Sequence, residues 1–230
     1  MECPICGSNK FGDFRGRANA RCRGCGSFER SRLLWLVIET LKVSEITLPF
    51  FHFAPEIGNA QRLAESLGDR YRPFDFDPDI YIKAGINAER FDLCNDTQKV
   101  KKGSVVALCH VHVLEHVRCN AAFVLQELNE LLAAGGYHIF GVPFFSQQYR
   151  ENLSEQLSAA DRLEQFGHED HVRSFGTQDF SLMFEPAFKG LERISLRDLI
   201  DSSVFQEANI PSRALAKNSS HGIMVWRKCG

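Results

Sequence analysis

The sequence lacks any long apolar run. The longest, Leu33–Ile38, is far too short to span a bilayer, which excludes a membrane-spanning helix and a membrane partner of that kind. It also lacks an excess of charge of either sign. The formal net charge is -2 over 230 residues, so no global positive field draws in nucleic acid or an anionic membrane surface. The opening residues, Met-Glu-Cys-Pro-Ile-Cys, hold no basic stretch followed by an apolar one, which predicts no secretory signal and a cytoplasmic protein. No internal repeat or low-complexity tract is visible. With 44% hydrophobic and 24% charged residues, the composition is that of a globular chain and not a disordered one. The length is about one and a half typical domains, which predicts one full domain and an appendage. What is abundant is cysteine, eight of them beside eight histidines. Without a secretory signal, that many cysteines reads as metal ligands plus leftovers and not as a disulfide framework.

Four of the cysteines fall in two pairs, Cys3-Pro-Ile-Cys6-Gly and Cys22-Arg-Gly-Cys25-Gly, giving C-x2-C-x15-C-x2-C. That is a zinc-ribbon spacing. Two cysteines separated by two residues in a tight turn aim both sulfurs at one centre, and Gly7 and Gly26 let each turn bend back. Two such turns complete a thiolate tetrahedron with no open position, which is a structural zinc site and not a catalytic one. Residues 1–30 are therefore expected to form a ribbon. Through residue 32 this module is basic, with Lys10, Arg15, Arg17, Arg21, Arg23, Arg30 and Arg32 against Glu2, Asp13 and Glu29, a net charge of +4. Such a module can contact phosphate; a solvated surface on a structural clip accounts for it equally well. Cys94, Cys109, Cys119 and Cys229 have no partner spacing and read as small buried or incidental residues.

Ser27 is placed to cap a helix, and Leu33, Leu34, Val37, Ile38 and Leu41 repeat at helical spacing, predicting a linking helix over 31–47. From residue 48 to 230 strands and helices alternate. Strands are expected near 49–54, 71–76, 86–93, 104–111, 137–142, 191–196 and 221–228, and helices near 59–68, 120–134 and 177–184, with Gly135-Gly136 stopping the second helix. This pattern predicts an α/β domain with a mostly parallel sheet and helices on both faces. Residues 144–176 are polar and irregular and read as a loop insertion, a lid or substrate loop. Ligands bind at the carboxyl ends of such strands, which draws attention to Pro55-Glu56-Ile57-Gly58, Asp75, Asp92, His110–His116 and Pro143. Asp75, nineteen residues after Glu56, is placed either to take ribose hydroxyls or to cap the turn before Pro78. His112-Val-Leu-Glu115-His116 matches the inverted zinc-peptidase motif, but it follows a buried strand instead of lying within a long helix, which argues against a peptidase.

The series His-Phe-Ala-Pro-Glu (52–56), Tyr71…Asp75-x-Asp77-Pro78, Phe91-Asp92-Leu93, His-Val-Leu-Glu-His-Val (112–117), Glu127-Leu…Leu-Leu-Ala-Ala-Gly-Gly (131–136) and Val142-Pro143 resembles class I S-adenosylmethionine-dependent methyltransferases. It is most similar to a subgroup with an Ala-Pro-Glu first motif and a four-cysteine ribbon in front, in which Phe166-Gly-His-Glu-Asp-His-Val-Arg-Ser-Phe-Gly176 also finds a counterpart. The resemblance implies a Rossmann-like methyltransferase sheet behind a zinc ribbon. It places Ala54, Pro55, Glu56 and Gly58 at the methionine end of the cofactor, Asp75 on the ribose, Phe76, Asp92 and Leu93 around the adenine, and Cys109 to His112 beside the sulfonium. The usual acidic-x-Gly-x-Gly-x-Gly turn is reduced here to a single glycine, Gly58. The base candidates are His110, His112, His168 and His171, with His168, Asp170 and Arg173 on the acceptor side. The expected activity is methyl transfer to an O or N atom of a small-molecule or sugar-like acceptor. The alternatives are an RNA or protein methyltransferase docking through the basic ribbon, and a non-catalytic binding protein with a methyltransferase-like shell.

Overall fold

The computed structural model describes residues 1–45 and 47–230. The N-terminal module is a hairpin of β1 (Phe11–Phe14) and β2 (Arg17–Cys22), antiparallel. Helix α1 (Glu29–Thr40) follows. It stops well short of the expected linking helix over 31–47, whose residue Ile46 lies outside the described residues. Ser27 does not cap it. Phe28 holds the cap position without a side-chain bond, and the Ser27 hydroxyl turns instead to Cys3 and Cys25.

The main domain runs through β3 (Phe50–Phe53), α2 (Ile57–Leu67), β4 (Tyr71–Asp75), β5 (Glu89–Arg90), β6 (Val105–Val111), α3 (Ala121–Leu131) and β7 (Leu132–Gly141). Next come β8 (Phe144–Ser146), β9 (Arg150–Glu151), α4 (Ala159–Phe166), β10 (Arg173–Gly176), α5 (Phe180–Phe184), β11 (Leu191–Ile194), α6 (Leu196–Leu199), α7 (Ser202–Glu207) and β12 (Met224–Lys228). Seven strands form one sheet in the order β11-β12-β7-β6-β3-β4-β5. β3, β4, β5, β6 and β7 pair in parallel, and β12 runs antiparallel to both of its neighbours.

The two faces of the sheet carry separate cores, which is why β3 and β6 are buried along their whole length. One holds Leu33, Val37, Ala60, Leu63 and Val106 from α1, α2 and the sheet; the other holds Phe53, Phe74, Leu108, Val124, Leu128 and Phe180 from the sheet, α3 and α5. Helix α3 starts where the Asn120 side chain accepts from the Phe123 N–H.

Two expectations are corrected. Gly135-Gly136 does not stop the chain's regular structure, because β7 starts at Leu132 and runs through it. A Cβ on Gly136 would lie 2.8 Å from the Val106 carbonyl oxygen and Gly135 has φ +75°, so the pair forms an irregularity pressed against β6. The 144–176 segment is no open loop. β8 and β9 flank β10 in a three-stranded sheet, and α4 carries a capping box between Ser158 and Asp161. Polar strands of two to four residues are too short to leave a periodic signature.

Candidate functional site

The strand order reverses between β3 and β6: β4 and β5 extend one way and β7 the other. Open α/β sheets bind ligands at such a switch point, outside the carboxyl ends of the strands. The turn Ala54–Gly58 leaves β3 there and His112–His116 leaves β6 there. Both first residues have positive φ, 49° at Ala54 and 58° at His112, unusual for residues with side chains.

Glu56 turns toward the sheet. Its Oε2 lies 3.3 Å from the buried His52 Nε2, while His52 Nδ1 is 3.0 Å from the Tyr71 hydroxyl. Both Glu56 oxygens are buried without a hydrogen-bond donor. Gly58 faces the ribbon: a Cβ there would sit 3.6 Å from Ile5 and 3.8 Å from Cys25. At the end of β4, Asp75 accepts from the Tyr81 hydroxyl (2.8 Å) and the Asp77 N–H (2.9 Å). Phe76 is exposed with the Arg90 guanidinium over its ring. Asp92 accepts from the Cys94 N–H and the Asn95 side chain, and Leu93 is buried. Ala54, Glu56, Asp75, Phe76 and Asp92 thus stand along the carboxyl ends of adjoining parallel segments.

Cys109 and His110 lie inside the sheet. His138 Nδ1 donates to the Asn129 carbonyl oxygen at 2.6 Å, so its Nε2 accepts, and His110 Nε2 donates to it at 2.9 Å. Burial holds His110 down to about 3 and His138 well below the usual value. Burial likewise pushes the Cys109 thiol up. His112 keeps some access to solvent, with Nε2 donating to the Ser220 carbonyl (3.0 Å) and Nδ1 3.4 Å from Glu115 Oε1; burial, with Arg30 nearby, lowers it to about 3. Glu115 is fully buried and raised by that burial to about 8. From the other side the turn after α4 brings His168, Asp170 and His171 over this segment, with His116 Nδ1 3.3 Å from Asp170. Arg173 is fully enclosed, donating to the Leu114 and Cys119 carbonyls and pairing with Glu151 at 2.8 Å. It fixes the segment after β6 from behind.

The sequence reading passed over three groups here. Glu115 and His116 sat in a motif weighed as a peptidase signature and as part of the methyltransferase resemblance, with no site role given to either. Tyr81, the donor to Asp75, carries no signal of its own. A disulfide joins Cys94 to Cys119, with Cα atoms 5.9 Å apart, correcting the reading of these cysteines as incidental. Twenty-five residues of separation hid the pair.

The four remaining N-terminal cysteines converge. The ligand sulfurs of Cys3, Cys6, Cys22 and Cys25 all lie within 4.8 Å of one another, with 3.7 Å between Cys3 and Cys25 and 3.6 Å between Cys6 and Cys22. Thiolates on a tetrahedral zinc at ~2.3 Å stand ~3.8 Å apart, so the set fits that ion with at most small shifts. Contact with Cys25 pulls the Cys3 thiol down to about 4, against burial and with help from Ser27. Behind the cluster, Arg32 is fully buried and donates to four backbone carbonyls: Ala20, Ser27, Ala208 and Asn209. Arg17 pairs with Glu29 at 2.7 Å. Neither arginine is free for phosphate.

Among the described residues, no helix is long and apolar enough to cross a membrane. Comparison with family models and with curated proteins finds no match. Solved structures do match. An S-adenosylmethionine-dependent methyltransferase from Mesorhizobium loti aligns over 84% of this chain and 97% of its own, with TM-score 0.53 and 12% identity. A methyltransferase of the same cofactor from Archaeoglobus fulgidus aligns over 86% and 92%, with TM-score 0.52 and 11% identity. The [4+2]-cyclase SpnF aligns over 96% and 88%, with TM-score 0.51 and 13% identity. At that identity the likeness concerns the fold. The chain has the mostly parallel α/β fold of S-adenosylmethionine-dependent methyltransferases, with a four-cysteine ribbon mounted at the carboxyl edge of the sheet.

Proposed function

We propose that this protein is an S-adenosylmethionine-dependent methyltransferase whose ribbon holds one structural zinc. The observation that carries the reading is Glu56: a carboxylate with both oxygens buried and no well-formed hydrogen bond, His52 Nε2 standing 3.3 Å off, at the switch point of a sheet whose fold is shared with such enzymes. An ammonium group is the chemical complement of that carboxylate, and the methionine end of S-adenosylmethionine supplies one. Asp75, already oriented by Tyr81 and Asp77, keeps lone pairs for a pair of ribose hydroxyls. Exposed Phe76 offers a face to an adenine, and Asp92 lies at its edge.

Bound S-adenosylmethionine supplies an already activated methyl group, so the residues of this chain align and exclude water. An acceptor hydroxyl or protonated amine must also lose a proton. His112, partly accessible at the end of β6, is the candidate: its Nε2 is spent on the Ser220 carbonyl, so its Nδ1, beside Glu115, would take the proton, and burial makes it a weak base. His110 sits behind it in the core, and His168, Asp170 and His171 face the acceptor side. A small-molecule acceptor is our reading; Arg32 and Arg17 are committed to structural contacts, and a nucleic-acid acceptor would have to rely on the exposed Lys10, Arg15, Arg21 and Arg23.

A second reading, a binding protein with this shell, draws on Gly58: the single glycine of the turn faces the ribbon. Calorimetric titration separates the two. S-adenosylmethionine is expected to bind, and Asp75→Ala to weaken it by roughly tenfold or more, about 1.4 kcal/mol. No binding to folded wild-type protein rules out the methyltransferase reading.

A further inference from the structure

We propose that Glu115, His116 and His171, with Asp170 at the rim, form a second metal site, free of thiolate, that takes a divalent transition cation. It adjoins the residues of the methyl-transfer reading, sharing His171 and Asp170 and facing His112, but it requires no cofactor, so the metal measurement below stands or falls by itself.

Two segments far apart in sequence build it. His112–His116 leaves β6, and the turn between α4 and β10 is tied down on it: the Val172 N–H donates to the Glu115 carbonyl at 2.9 Å, and Arg173 holds the Leu114 and Cys119 carbonyls. One ligand atom from each of Glu115, His116 and His171 lies within 4.8 Å of the others, and His168, Asp170 and His171 form an overlapping set. Ligands on a tetrahedral ion at ~2.0–2.1 Å stand ~3.4 Å apart, so closure needs shifts of about 1 Å.

The polarity of the contacts is the stronger argument. Glu115 is fully buried, and neither carboxylate oxygen has a donor. His171 Nδ1 donates to the Phe166 carbonyl at 3.2 Å, which leaves Nε2 as a lone pair, 4.0 Å from Glu115 Oε1. His112 Nε2 donates to the Ser220 carbonyl, which leaves Nδ1 as a lone pair, 3.4 Å from the same oxygen. One buried carboxyl and two imidazole lone pairs therefore converge in a dry place, a donor set that a cation can fill in place of a shared proton. An imidazole whose far N–H is spent on a backbone carbonyl is also how metal-binding histidines are held. His116, with Nδ1 3.3 Å from Asp170 Oδ2, closes the exposed side. Imidazole with carboxylate suits zinc, iron, cobalt or manganese, and differs from the four-thiolate ribbon.

Cobalt(II) tests this on the full chain with its ribbon zinc in place. One further equivalent should bind, counted by elemental analysis, with ligand-field absorption and no thiolate-to-cobalt charge-transfer band. His116→Ala and His171→Ala should each weaken it by roughly tenfold or more. His116 is partly exposed, so its variant keeps the fold, which circular dichroism checks. No second equivalent on folded wild type, or one that survives His116→Ala unchanged, overturns the site and leaves a shared proton in its place.

Discussion

Replacing Arg32 by methionine, close to it in length, should unfasten the ribbon. The guanidinium donates at 2.9, 3.1, 3.0 and 2.8 Å to the carbonyls of Ala208, Ala20, Ser27 and Asn209, with no solvent exposure. Each hydrogen bond to a charged donor contributes about 1.5–3 kcal/mol, and the bonds are not additive. Methionine fills the volume but leaves buried acceptors without partners and removes the positive charge behind a cluster that, as four thiolates on zinc, carries a charge of about -2. Breaking one side of a buried charged set costs about 3–5 kcal/mol, so we expect about 4 kcal/mol in urea unfolding. At about 2–4 °C per kcal/mol for a chain of this size, the melting temperature should fall by roughly 10 °C. A zinc-chelating dye should also strip the metal faster from the variant. A loss under ~1 kcal/mol, with zinc release unchanged, would refute the idea that this side chain clamps the ribbon to the domain.

The Cys94–Cys119 disulfide closes a 25-residue separation and should contribute about 3.5 kcal/mol, so Cys94→Ser should lower stability by that order. Titration of unreduced, denatured, metal-stripped protein should find six reactive thiols of the eight cysteines; eight would mean that the bond does not form. Acid should act through the buried imidazoles. His110 and His138 are held below the free value of 6.5, so the unfolded chain takes up protons first; stability is fully present above pH 6.5 and falls toward pH 3. Each contributes a slope of up to about 1.4 kcal/mol per pH unit. Unfolding measured between pH 7 and 5 should show a shallower slope for His110→Phe/His138→Phe, and an equal slope would discount them as the source.

Strong local signals carried far. The cysteine spacing placed all four sulfurs of the ribbon, and the unbroken apolar run of β6 marked a strand buried on both faces. Spacing could not report the destinations of side chains that reach across the fold. Arg32 read as one more ribbon cation, yet it is buried against residues 208 and 209, which only the tertiary structure brings near. Gly135-Gly136 read as a stop because glycine ends helices, whereas here the missing Cβ serves close strand packing. His110 looked like a strand-end base, but its bond to His138 follows from the register of β6 against β7. Glu115 lay inside a motif whose helical context was missing, and its unpaired state appears only once the turn carrying His171 closes over it.

The fastening of the ribbon also separates a local step of folding from a long-range one. The four cysteines of the cluster lie within a 23-residue stretch, Cys3 to Cys25, so the ribbon can close from local chain alone. Part of its anchorage lies far along the chain: besides the Arg32 bonds, the Glu2 N–H donates to the Glu207 carbonyl and the Asn209 side chain to the Asn19 carbonyl, both at 2.7 Å. Closure of the ribbon is therefore local, whereas its seating draws both on α2, through Gly58 and Asn59, and on residues 207–209. A chain truncated before residue 207 would keep the α2 contacts and lose the bonds from Arg32, Glu2 and Asn209.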